Sequence, residues 1–91
     1  MFAIKIIILG KVHGVSFREK TRSKAQELGI TGWVKINERQ ELIIYAEGSM
    51  ESLITLSNWC QKGPKNSDVD KVSIEWNEKS KKDFIEFDIR R

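Results

Sequence analysis

A two-layer α+β sandwich is the fold class this sequence predicts, and three observations lead to it. The chain opens on an apolar run, "FAIKIIIL", Phe2 to Leu9. Two stretches with helical spacing follow Ser16 and Ser49, separated by two strand-like runs. Alternating segments around Val72 to Trp76 and Phe84 to Ile89 close the chain. The order is β-α-β-β-α-β plus a short C-terminal strand. Such a string places both helices on one face of a mainly antiparallel sheet, the ferredoxin-like arrangement.

In the first run, Phe2, Ile4, Ile6 and Ile8 alternate with Ala3, Lys5, Ile7 and Leu9. Both sets are mostly apolar, so a central strand with both faces largely covered is expected. "SFRE", Ser16 to Glu19, has the form of a capping box. Phe17, Thr21, Ala25 and Leu28 recur at helical spacing, and Gly29 stands where a left-handed cap belongs, so a helix is expected from about Phe17 to Leu28. Trp33 to Ile36 and Leu42 to Glu47 read as two strands; the turn between them, around Asn37 to Gln40, lacks glycine. Ser49 can cap a second helix with Met50, Leu53, Ile54, Ser57 and Cys60 on one stripe, ended by Gly63 and Pro64.

Length and composition narrow the function. The 91 residues suit one domain spanning the whole chain. Apolar residues are 40% and charged residues 32%, an ordinary globular balance. No apolar run is long enough to span a membrane, and no signal-like N-terminus is seen. Cys60 is the single cysteine, which favours a reducing, cytoplasmic setting. With His13 the single histidine, a structural metal site is not expected. The net charge of +3 favours anionic ligands without naming one. Basic residues are mixed with acids, and the central strands "AIKIIIL" and "LIIYAE" offer one aromatic between them. Nucleic-acid binding by the sheet is therefore not expected. Neither is a membrane partner. A monomer is expected, because no long apolar surface stripe is left once the core is assigned.

The loop "GKVHGVSFREK", Gly10 to Lys20, holds the candidate chemistry. A helix N-terminus offers unpaired N–H groups and partial positive charge, which suit an anion. Gly10 and Gly14 let the loop bring backbone amides close to a ligand. Arg18 would lie in the first helical turn, where a cation is unfavourable by roughly 0.3–1 kcal/mol unless an anion sits nearby. Its planar fork matches a phosphate. First-turn arginines on a solvated face are also common, so the local pattern leaves both readings open. His13 has no acid partner in view and reads as a loop residue.

"GKVHGVSFR" resembles the acylphosphatase signature, Gly-x-Val-Gln-Gly-Val-x-Phe-Arg, with His13 at the glutamine position. "GWVK" (Gly32 to Lys35), "AEG" (Ala46 to Gly48), "WCQKGP" (Trp59 to Pro64) and "FDIR" (Phe87 to Arg90) are similar to further family features. The resemblance covers nearly the whole chain and implies the same sandwich fold. It implies hydrolysis of acyl phosphates to carboxylate and phosphate, with no metal or cofactor. Carried over, Arg18 and the backbone from Gly14 through Val15, Ser16 and Phe17 to Arg18 would hold the phosphoryl oxygens.

The sequence departs from the family where an asparagine should orient the attacking water. Ile36 occupies that position, and Asn37 follows it. A one-residue shift in a regular strand turns a side chain to the other face. Two readings of Asn37 stay open. A β-bulge could return it to the site, making Arg18 and Asn37 the catalytic pair. Otherwise it is a turn residue, and the chain is a phosphate-binding module with weakened turnover.

Overall fold

The computed structural model describes residues 2–11, 15–63, 68–77 and 84–90. In chain order the elements are β1 (Phe2–Lys11), α1 (Val15–Glu27), β2 (Thr31–Ile36), β3 (Leu42–Gly48), α2 (Met50–Lys62), β4 (Asp68–Asn77) and β5 (Phe87–Ile89). The strands form one sheet in the order β4-β1-β3-β2-β5. All neighbours are antiparallel except β2 and β5, which run parallel. The predicted sandwich is the observed one.

Strand alternation decides which side chains make the core. Ile4, Ile6 and Ile8 of β1 stand opposite Ala46, Ile44 and Leu42 of β3, and all six are fully buried. Phe17 and Ala25 of α1 and Leu53, Leu56 and Cys60 of α2 complete the same cluster, so both helices cover this one face. The expectation that both faces of β1 are largely covered is corrected. On the other face Ala3 is buried, but Lys5 and Leu9 are exposed and Ile7 is half-buried, because among the described residues no helix packs there.

α1 starts at Val15, earlier than the periodicity suggests. Ser16 therefore lies inside the first turn and does not cap it. Glu19 instead accepts from Arg22 Nη2 at 2.6 Å, one turn further along the helix. The C-terminal end agrees with the sequence. The Gly29 N–H bonds the Gln26 carbonyl at 3.1 Å and the Ile30 N–H bonds that of Ala25 at 2.9 Å, the paired bonds of a Schellman turn. Ser49 caps α2, accepting from the Ser52 N–H at 3.2 Å. The buried stripe of α2 is Leu53, Leu56, Ser57 and Cys60. Met50 and Ile54, expected on that stripe, are each 44% exposed. At about 100° per residue Leu53 and Cys60 fall at its centre with Leu56 and Ser57 to either side, while Met50 and Ile54 lie further round, beyond Ser57. Gly63 ends α2 at a positive φ of 73°, and Pro64 lies outside the described residues.

Two glycines are demanded by close approach of strands. A Cβ on Gly32 would meet the Tyr45 carbonyl oxygen at 1.9 Å, and one on Gly10 would meet the Asp68 carbonyl oxygen at 2.2 Å. Gly10 sits at a register shift between β1 and β4. Its role in the structure is thus strand packing at the end of β1, beside any part it has in shaping the loop.

Candidate active site

The sheet register gathers the candidate residues at one end of the molecule. Ile8 near the end of β1 pairs with Leu42 at the start of β3, and Leu42 pairs with Ile36 at the end of β2. The connection from β1 to α1 and the β2–β3 turn therefore leave the sheet at the same end. Val12, His13 and Gly14 lie outside the described residues.

Phe17 anchors the first turn of α1. It is 4% exposed, and its ring meets Trp59 of α2 edge-on at 6.1 Å between centroids. The buried Thr21 hydroxyl donates to the Phe17 carbonyl at 2.9 Å. Arg18 follows Phe17 directly and is half-buried. Its Nε is buried without a hydrogen-bond partner among the described residues. A buried donor left unmatched costs about 1–3 kcal/mol, more for a charged group. The first N–H groups of the helix, on Val15, Ser16 and Phe17, have no carbonyl to bond within it. Because α1 begins at Val15, these amides belong to the same helix end as Arg18. Donors and positive charge converge there, and an oxyanion is the species that satisfies both.

Asn37 is differently placed. It follows β2, and its side chain organises the turn. Asn37 Oδ1 accepts from the Arg39 and Glu41 N–H groups at 2.9 and 3.0 Å, and its Nδ2 donates to Glu41 Oε1 at 2.8 Å. Both ends of the carboxamide are thus engaged within the turn, and orienting a water would mean giving up such bonds. Ile36 stands opposite Leu42 on the helix-covered face and packs, partly buried, on the core cluster that includes Phe17. An open cleft of about 560 Å³ borders this turn, lined by Lys35, Ile36, Asn37, Glu38, Arg39 and Glu41. Arg18 is not among its lining residues.

Cys60 is free and fully buried, and burial pushes its thiol up from 9.0 to about 12. A thiol held neutral in this way is not a nucleophile at ordinary pH. Among the described residues no three His, Cys, Asp or Glu side chains come together as a metal-holding group.

The acylphosphatase family profile matches residues 4–89, a span that takes in "GKVHGVSFR", "GWVK" and the helix end that carries Arg18. The chain belongs to the acylphosphatase family. It is 38% identical over 87 residues to an acylphosphatase of Coxiella burnetii (strain RSA 493 / Nine Mile phase I), covering 96% of this chain and 90% of that one. An acylphosphatase of Acaryochloris marina (strain MBIC 11017) is 37% identical over 91 residues, covering 100% and 96%. Among solved structures, the acylphosphatase from Bacillus subtilis superposes with a TM-score of 0.93 at 28% identity, covering both chains fully. Full-length HypF, in a phosphate- and nucleotide-bound form, matches 99% of this chain with 12% of its own, at a TM-score of 0.87 and 27% identity. The acylphosphatase fold thus also occurs as a small part of a much longer chain.

Sequence reasoning missed the Phe17–Trp59 contact and the burial of Glu47, which is 1% exposed and lies 3.3 Å from the Tyr45 hydroxyl. Nothing in local spacing signals either. Helix α1 and helix α2 meet only in the folded molecule, and a glutamate in an alternating strand reads as solvent-facing.

Proposed function

We propose that Arg18 and the N–H groups opening α1 hold the phosphoryl group of an acyl phosphate while water cleaves it. The chain is a hydrolase of acyl phosphates, the activity for which its family is named. The observation that supports Arg18 is its buried Nε, which has no hydrogen-bond partner among the described residues. A phosphoryl oxygen would supply the missing acceptor, and the guanidinium would offset negative charge on the three phosphoryl oxygens as the transition state forms. Water attacks phosphorus, the bond from phosphorus to the acyl oxygen breaks, and its electron pair leaves with the carboxylate. The water's oxygen and the phosphoryl group become inorganic phosphate, with release of a proton. The carboxylate is a good leaving group, so the scheme needs no strong general acid and calls on no cofactor.

Ile36 supports a second reading, a phosphate-binding module with slow turnover, because an aliphatic side chain cannot orient water. Nothing in the family comparisons favours it. We place the protein in the cytoplasm as a monomer of one domain; the free, buried Cys60 supports a reducing compartment.

Hydrolysis of benzoyl phosphate tests the assignment. Arg18→Ala is expected to lower kcat/KM by on the order of 10²–10³, with Arg18→Lys between it and wild type. Inorganic phosphate is expected to compete. An unchanged kcat/KM for Arg18→Ala would sink the assignment. A gain of about 10²-fold for Ile36→Asn would show that the wild type lacks its water-orienting group.

A further inference from the structure

The face of the sheet turned away from the helices carries a cluster that the hydrolytic site does not use. Trp33 of β2 stands opposite Tyr45 of β3, their rings stacked at 6.1 Å and 20° between planes. Phe84, leading into β5, tilts onto Tyr45 at 5.6 Å. Three rings from three separate segments thus form one strip, each only half-buried. Cations rim it. The Arg90 guanidinium lies 5.1 Å from the Trp33 centroid and 5.6 Å from that of Phe84, and Lys35 Nζ lies 5.5 Å from Trp33. Lys5 is exposed on the same face, opposite Tyr45. Beside Tyr45 there is a hollow of about 470 Å³ lined by Ile4, Lys5, Tyr45, Glu75 and Trp76.

We propose that this face binds single-stranded nucleic acid, with bases stacked on Trp33 and Phe84 and phosphates held by Arg90, Lys35 and Lys5. Unpaired bases stack on sheet-displayed aromatics and on guanidinium planes, and a π-face is common to every base. The exposed Arg90 can swing from over the rings to a phosphate that flanks a stacked base. A protein or lipid partner would leave this pairing of ring faces and spaced cations unused. The two central strands alone argued against nucleic acid. The structure changes that, because β2 and the approach to β5 bring Trp33 and Phe84 onto the same face as Tyr45. The opposing charges on this face are Asp88, level with Trp33, Glu75, at the hollow, and the buried Glu47, whose carboxylate accepts from the Tyr45 hydroxyl.

Fluorescence anisotropy with labelled oligouridine and oligothymidine of about ten nucleotides, lacking terminal phosphates, tests the proposal at about 50 mM salt. Saturable binding of either strand, weakened by added salt and poorly competed by a duplex, is expected. Trp33→Leu should weaken it about 10-fold or more. Arg90→Gln, at an exposed side chain, should weaken it several-fold, whereas Asp88→Asn should tighten it. The Arg90 and Asp88 variants keep the test decisive if Trp33→Leu fails to fold. No binding at about 1 mM protein would overturn the proposal. So would displacement by inorganic phosphate, which would place the strand at Arg18. Binding that is indifferent to Arg90→Gln and Asp88→Asn would overturn it as well.

Discussion

Replacing Asn37 by alanine removes the three side-chain hydrogen bonds that close the β2–β3 turn. Two backbone bonds remain: the Asn37 N–H to the Glu41 carbonyl at 3.0 Å and the Gln40 N–H to the Asn37 carbonyl at 3.1 Å. The exposed Arg39 N–H regains a partner from water at little cost. The bonds to the Glu41 N–H and carboxylate are part-buried. Each is worth about 0.5–1.5 kcal/mol, with the carboxylate bond at the upper end, so the expected loss is about 2 kcal/mol. In a domain of this size that lowers Tm by roughly 10 °C. Urea unfolding should show a lower midpoint at unchanged slope. Hydrolysis of benzoyl phosphate, measured well below Tm, should change by no more than about 3-fold, because the carboxamide serves the turn. Asn37→Asp would keep the side-chain oxygen that accepts from both backbone N–H groups but set a carboxylate against Glu41, and its stability should fall between the two. The reasoning is refuted if Asn37→Ala leaves stability unchanged. It is equally refuted if kcat falls by on the order of 10² in folded protein, since the carboxamide would then act on the attacking water.

Gln40 holds a positive φ of 64° in the same turn, so Gln40→Gly should stabilise by about 0.5–1 kcal/mol, readable as a higher urea midpoint. A loss of stability would contradict this backbone reading. Gly32→Ala should cost more than about 3 kcal/mol or prevent folding, because the new Cβ would overlap the Tyr45 carbonyl oxygen at a φ of 139°. Circular dichroism and thermal melts check it; a near-wild-type Tm would count against the strand spacing described. Cys60 gives a pH signature. The folded thiol binds its proton more tightly than the unfolded one, so its contribution is complete below pH 9.0 and is lost as pH rises toward about 12. By pH 10.5 the loss should be about 2 kcal/mol. Urea midpoints across this window measure it, and Cys60→Ala should flatten the slope. Iodoacetamide should leave native Cys60 unmodified at neutral pH and label it on unfolding.

Residues near one another in the chain made much of this protein legible from its sequence. The alternation of Ile4, Ile6 and Ile8, the spacing of Phe17, Thr21 and Ala25, and Gly29 after the helix each report local periodicity or a local φ requirement. These set the order of elements, and with it the sandwich. The run from Gly10 to Arg18 pointed to the candidate anion site because a helix start with an adjacent arginine is also local. Helix rotation was less legible, since α2 presents several apolar residues and packing alone selects Leu56 over Ile54. What depended on contacts distant in sequence was decided only by the tertiary structure. Phe17 is pinned by Trp59 from the other helix, and Gly32 is required by a carbonyl on the neighbouring strand. Asn37 is engaged by a residue across its turn, where a strand register alone could not place it. The strip of Trp33, Tyr45 and Phe84 exists because β3, β2 and β5 lie side by side, an adjacency absent from the linear chain. Local periodicity thus sets which elements form, while the packing of those elements sets which side chains meet.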